Sequence, residues 1–501
     1  MSKAGVTQLQ RRIDGLLAFL HPHWDFVNCH MVNYLTDQHW DNFLPETLRK
    51  EIAGKEDVDL AIEQLFWQGS EKTKAFPEWK SFLAQGEQER LSLHPELLTS
   101  VEELIEGPEN ADKLSIREFM SAKKCHEVEL TAALVDHLAK NSSQNCCIVD
   151  AGDGKGYLSS RLALQYGHRV LGIDANAANT ENALSRNRKL QRAWNGLTER
   201  AELQSQGITP KRRGKKSPTR DTSKNAPSLE NYKTTARFIT TELNFGELLA
   251  EHFPQLAEIA KPNHNICLTG LHTCGNLAST CLQVFHAQSD CRILCNIGCC
   301  YHLLREHFSQ KEFFGNKALM DMQTDFGFPL SQYLREQQVR MGRNARMLAA
   351  QSIERTLDGK ELPNITLYYR ALLEILVCRH APHSKNELQV GKVRKFKDFP
   401  DYIRKCAAKL EAPWLAAIEE AELQMLLQEY AKDKHYLDLF YLLRMSFAPV
   451  LESLILLDRL LYLKELGYER SYLIDLFDPV ISPRHYAIVA IKPPDASSVL
   501  T

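Results

Sequence analysis

From the start of the chain to about Val128, apolar residues recur at helical spacing: Leu17, Leu20, Phe26 and Met31, then Leu44, Leu48 and Ile52, then Leu60, Ile62, Leu65 and Phe66. Pro45, Pro77 and Pro95 punctuate these runs, as prolines do where helices begin or break. The pattern predicts a helical N-terminal domain over residues 1–120. A different regime opens at residue 121. A helix carrying Val128, Leu130, Leu134, Val135 and Leu138 leads into the polar turn 141–145, after which Cys146-Cys147-Ile148-Val149-Asp150 is a short apolar run bounded by turn residues. That is the pattern of a strand buried on both faces of a parallel sheet.

A glycine turn, a helix from Tyr157 to Tyr166 and a strand from Arg169 to Asp174 then complete one βαβ unit. A further helix runs from Ala178 to Trp194, and strand-like runs return at 236–240, 265–271 and 291–298. Five strands separated by helices predict an α/β fold with a Rossmann-like sheet over residues 121–330. From about Ser331 to Leu466 the spacing is helical again, which predicts a helical insertion at 331–466. The alternations Tyr472 to Phe477 and His485 to Ile491 flank Asp478-Pro479 and Ser482-Pro483. They predict a C-terminal hairpin, 467–501, that adds two antiparallel edge strands and completes a seven-stranded sheet.

Between about Gly196 and Lys233 apolar periodicity lapses, and the stretch holds the basic run Lys211-Arg212-Arg213-Gly214-Lys215-Lys216. A solvated, disordered insertion at 196–233 is expected, with RNA phosphates or nuclear import as alternative uses of the charge. Over the whole chain charge nearly cancels, 61 basic against 63 acidic residues. A general affinity for nucleic acid is therefore not expected, no DNA partner is predicted, and RNA would have to be held by local basic patches. The 13 scattered cysteines and the absence of a signal-type apolar core after Met1 fit a reducing cytoplasm or nucleus. The apolar stretch from Val450 to Leu466 is broken by Glu452, Asp458, Arg459, Lys464 and Glu465, so it is expected to be a buried or half-buried helix and not a membrane span.

The chemistry concentrates at predicted strand ends. Asp150 ends the first strand and runs into Gly152, Gly154 and Gly156 before a helix, and Asp174 ends the next strand. Such glycines let the backbone turn sharply and lie against a ligand, and a carboxylate at the second strand end can accept both hydrogen bonds of a ribose diol. S-adenosylmethionine is the expected cofactor, with a nicotinamide dinucleotide as the nearest rival. Ligands of open α/β sheets sit beyond the C-terminal strand ends. There this chain has His272-Thr273-Cys274-Gly275 and Cys299-Cys300-Tyr301-His302, so His272, Cys274, Cys299, Cys300 and His302 are the candidate catalytic residues. His272 or His302 could serve as a base. The same thiols and imidazoles could take zinc. No Cys-x-x-Cys pair is present and adjacent cysteines chelate one ion poorly, so no metal is assigned. Lys123, Lys124 and His126, before the first strand, are candidates for substrate binding.

Four stretches resemble the methyltransferase-like protein 25 family, also labelled ribosomal RNA adenine dimethylase domain-containing: Lys123 to Glu127, Asp150 to Ser160, Leu268 to Leu277 and Gly298 to Leu303. Supporting matches are Asn187 to Leu190, Arg346 to Gln351, Leu476 to Pro479 and Ser482 to Arg484. The resemblance implies a seven-strand S-adenosylmethionine domain behind a helical N-terminal region, and a methyltransferase with an unsettled substrate. The Asn/Asp-Pro-Pro-aromatic motif of amino-methylating RNA enzymes is replaced here by Leu271-His272-Thr273-Cys274-Gly275. That turn and the Cys299-Cys300-His302 grouping are similar to the tRNA ribose methyltransferases of the thirteenth yeast class, which implies an RNA hydroxyl acceptor. Asp153 departs from the family pattern, standing where a small Ser or Ala is usual. A carboxylate there would oppose the methionine carboxylate, which leaves a catalytically inactive binding module as the alternative.

Overall fold

The computed structural model describes residues 4–105, 120–142, 146–208, 229–258, 265–308, 326–384 and 390–493. The chain divides into two compact units, one formed by 1–15, 94–342 and 452–501, the other by 16–93 and 343–451.

The first unit holds seven strands: β1 (Cys147–Ala151), β2 (Val170–Asp174), β3 (Tyr232–Ala236), β4 (Ile266–Cys274), β5 (Cys291–Cys299), β6 (Ser471–Asp475) and β7 (Tyr486–Ile491). Their order in the sheet is β3-β2-β1-β4-β5-β7-β6. β1 to β5 pair in parallel, and β7 runs antiparallel to both β5 and β6. This is the seven-stranded Rossmann-like sheet that the sequence predicts, edge hairpin included. Its longer helices include α1 (Ala122–Ser142), α2 (Tyr157–Leu164), α3 (Ala177–Ser205), α4 (Phe245–His252), α5 (Asn276–Ala287) and α6 (Ala448–Glu465), the last entering the unit at residue 452.

The apolar runs are continuous because the central strands are covered on both faces. Val128, Leu134 and Leu138 of α1 and Leu158 and Leu162 of α2 pack on Ile148, Val170, Cys267, Ile293 and Val489. Each such burial contributes about 1.5–3 kcal/mol relative to exposure. The strand order reverses between β1 and β4, so the crevice over their C-terminal ends is where a ligand belongs.

Several boundaries differ from the sequence reading. The strand expected at 236–240 lies four residues earlier, as β3. β3 is an edge strand whose Thr234 and Thr235 supply β-branched packing, whereas Phe238, which drew the assignment downstream, is exposed. The expected insertion at 196–233 is shorter, because α3 continues to Ser205 and Tyr232 already opens β3. Its basic run, Lys211 to Lys216, lies outside the described residues.

The domain division differs too. The N-terminal helices and the helical insertion, read as separate domains, form one second unit. The aromatic ring of Phe26 meets those of Phe440 at 5.1 Å and Phe447 at 5.4 Å, and Arg444 donates to the carbonyl of Val27 at 2.7 Å. Two half-amphipathic segments far apart in sequence thus bury one core, which helical spacing alone does not reveal. The stretch Asp433–Glu465 is long and apolar enough to cross a membrane by length and composition, but 83% of its most apolar window is buried inside the protein. It is a core helix, as its interrupting charges suggest: Asp458 accepts from the backbone of Leu330 and Ser331 at 2.7 and 2.8 Å.

Candidate active site at the strand ends

Gly152, Gly154 and Gly156 all adopt positive φ, between 58° and 75°, and turn the chain from β1 into α2. At Gly156 a side chain is excluded twice over, by φ and by the Tyr232 hydroxyl and Ala183 methyl that a Cβ would strike. The bare main chain of this turn is pinned by Asp174 at the end of β2. One Asp174 oxygen accepts the Gly154 N–H at 3.0 Å, and the other accepts the Asn176 N–H at 2.8 Å and the Asn179 amide at 3.1 Å. The half-buried carboxylate keeps lone pairs beyond these three bonds.

The other two acids of the turn face inward. Asp150 is buried and accepts the Ser159 hydroxyl at 2.8 Å, so its side chain anchors α2 to β1 and does not line the crevice as expected of a cofactor ligand. Asp153 is also buried, and its carboxyl accepts the Tyr232 hydroxyl over Gly172, whose missing side chain leaves it room. The anticipated clash with a methionine carboxylate is therefore not built into the turn. Burial raises the pKa of Asp150 well above the ordinary carboxylate range, and the neighbouring charge of Asp153 raises it further. Burial raises Asp153 as well, against the hydrogen bonds of Tyr232 and Ser159. The pair retains a proton where isolated aspartates would lose theirs.

Across the reversal point, His272 stands at a bulge near the end of β4 with a φ of 73°. Its Nε2 meets the Glu127 carboxylate at 2.9 Å. Glu127 projects from the first turns of α1 and is fully buried, and its second oxygen accepts the Ser482 hydroxyl at 2.7 Å from the loop between β6 and β7. Lys124 and Lys123 lie 3.2 and 3.7 Å from the same carboxylate. Burial works against this charge, but the hydrogen bond and charge of His272, with Lys124 and Ser482 behind them, hold the Glu127 carboxyl down at about 2. His126 accepts the Asp478 N–H at 3.2 Å, a second tie between α1 and the hairpin loop.

Beside His272, the parallel register sets Cys274 of β4 next to Cys299 of β5, with their sulfurs 3.3 Å apart. Successive residues of a strand point to opposite faces, yet Cys300 adopts a left-handed φ of 52° that brings its sulfur to the same side, 3.5 Å from Cys274 and 3.7 Å from Cys299. Hydrogen bonds from the two neighbouring thiols lower the Cys300 pKa, and the charges of His302 and Arg484 add to that. The thiol of Cys299 moves up correspondingly.

All five candidate catalytic residues thus occupy one end of β4 and β5, and Lys123, Lys124 and His126 join them from α1. Sequence reading does not single out Glu127, Ser482 or Tyr232. Lys123 and Lys124 spaced four and three residues before Glu127 look like a solvated helical ion pair, and only tertiary burial gives the acid its role.

Residues 123–307 match the family model described as a methyltransferase domain. The human protein named "Probable methyltransferase-like protein 25" is 30% identical over 97% of this chain and 97% of its own length. The chain belongs to the methyltransferase-like protein 25 family. A mouse protein of the same name is 28% identical over 97% of this chain and 96% of its own length. No solved structure gives a significant match. The methyltransferase domain of this family member opens at Lys123 and takes in the glycine turn, Asp174, His272 and the three cysteines, while Ser482 and Arg484 reach the same place from outside it.

Proposed function

We propose that this protein is an S-adenosylmethionine-dependent methyltransferase acting on RNA or on a protein bound to RNA. The observation that carries the reading is the bare positive-φ turn held by Asp174 on one side of the strand reversal, with the Glu127–His272 pair on the other. The turn fits the cofactor: its backbone is uncovered, Asp174 can accept from a ribose diol, and Asp153 is turned away. When bound, the sulfonium supplies an electrophilic methyl group.

The remaining task is to align the acceptor and remove its proton. Ionised Glu127 selects the His272 tautomer that donates from Nε2, so Nδ1 is the nitrogen that takes a proton from an acceptor hydroxyl or amine. Ser482 and the lysines fix Glu127 in turn. Lys123, Lys124 and Arg484 bring positive charge to this end of the sheet, which favours a polyanion.

Calorimetry on the full chain should show S-adenosylmethionine binding, weakened on the order of 10- to 100-fold by Asp174→Ala. Labelled cofactor should transfer methyl groups to RNA with wild-type protein but not with His272→Ala, which should still bind the cofactor. No binding by the wild type refutes the reading. Label found in protein and never in RNA would overturn the RNA acceptor alone.

A further inference from the structure

We infer that Cys274, Cys299 and Cys300 form a three-thiolate site for zinc with an exchangeable fourth position. Their sulfurs make a triangle with sides of 3.3, 3.5 and 3.7 Å. Zinc holds thiolates at about 2.3 Å in tetrahedral geometry, which spaces sulfurs by roughly 3.8 Å. The triangle needs only slight widening to cap one face of such an ion. The grouping arises from two separate backbone features, the β4–β5 register that pairs Cys274 with Cys299 and the left-handed turn at Cys300. Adjacent cysteines chelate poorly on regular strands because they diverge, and this turn removes that obstacle.

Among the described residues no fourth Cys, His, Asp or Glu ligand joins the triangle, and Cys274 is exposed. Three protein ligands with an open position distinguish exchangeable zinc sites from closed structural ones. Three thiolates around a divalent ion leave one net negative charge, and binding releases the thiol protons to solvent. The site needs no S-adenosylmethionine, so it can fail while the proposed function stands.

Full-length protein purified under reducing conditions with zinc in the growth medium, without a metal-affinity step, should carry about one zinc per chain by elemental analysis. Cys274→Ser combined with Cys300→Ser should lower this to less than about a tenth, while Cys281→Ser, a buried thiol on α5, should leave it unchanged. Circular dichroism checks that the double variant is folded. Should it not fold, a thiol-directed mercurial added to wild-type protein must release stoichiometric zinc to a chelating dye. Cobalt substituted into wild-type protein should show thiolate-to-metal charge-transfer absorption. Wild-type protein free of zinc, a folded double variant that keeps its zinc, or a Cys274–Cys299 disulfide in the reduced preparation would each overturn the site.

Discussion

Asp150 and Asp153 beside the glycine turn, and Glu127 beside the end of β4, are all buried carboxyl groups, yet the first two are driven toward the neutral form and the third is held ionised. Burial opposes charge in every case. The partners decide the outcome. The aspartates have each other and two hydroxyls, and among the described residues no cation is hydrogen-bonded to them to balance a second negative charge. Glu127 has His272, Lys123 and Lys124 within 4 Å. The buried acids on one side of the strand reversal are therefore kept low in charge behind a main-chain cradle, and the other side concentrates charge around a base. For methyl transfer this is a useful division, since the cofactor side needs shape and the acceptor side needs a proton path.

The comparison breaks most sharply at Glu127. Glu127→Gln leaves two lysines and an imidazole around a neutral group, which should cost about 3 kcal/mol of stability and lower methyl transfer on the order of 100-fold. Cofactor affinity should be unchanged if the two sides are independent. The pH dependence gives a second reading. The folded-state pKa lies at about 2, below its ordinary value of 4.5, so ionised Glu127 stabilises the fold fully above about pH 4.5, and this contribution disappears as pH falls toward 2. Denaturant unfolding of wild type and variant should therefore differ at neutral pH and converge on acidification. A constant gap would mean that the variant disturbs packing and not charge.

The two sides were also unequally legible in the sequence. Asp150 to Gly156, the helix after it and the strand ending in Asp174 are contiguous signals, and continuous apolar runs mark strands covered on both faces. The fold and the turn could be read from them. The orientation of Asp153 could not, because it depends on the missing side chain of Gly172 and on a hydroxyl from Tyr232, 79 residues away. Glu127, His272 and Ser482 come from α1, β4 and a loop 355 residues beyond Glu127. Only the assembled sheet joins them. The cysteines were visible, but their convergence needs both the β4–β5 register and one left-handed residue, Cys300, at which a non-glycine residue gives little warning.

On the cradle side the largest test is Gly156→Ala. The added methyl meets the Tyr232 hydroxyl and Ala183 in a backbone region unfavourable to L-residues, and the expected loss is about 2 kcal/mol in denaturant unfolding. Because the strain falls on the turn, cofactor affinity should drop as well, in contrast to Glu127→Gln. Equal cofactor binding by both variants would remove the division between the two sides.

Asp153→Asn should have the smallest effect and the most informative sign. The side chain keeps its shape and an acceptor for Tyr232, but no longer titrates. In wild type the raised pKa means that the folded state holds a proton that the unfolded chain loses near pH 4, so stability falls as pH rises through that window toward the raised value. The variant should match wild type at pH 4 and gain on it progressively as the pH rises toward 8. Since the carboxyl faces Tyr232 and not the crevice, S-adenosylmethionine affinity should stay within about twofold of wild type, well under the tenfold that 1.4 kcal/mol represents. A large gain in affinity would place the carboxylate of Asp153 against the cofactor after all, and with it the case for an inactive binding module.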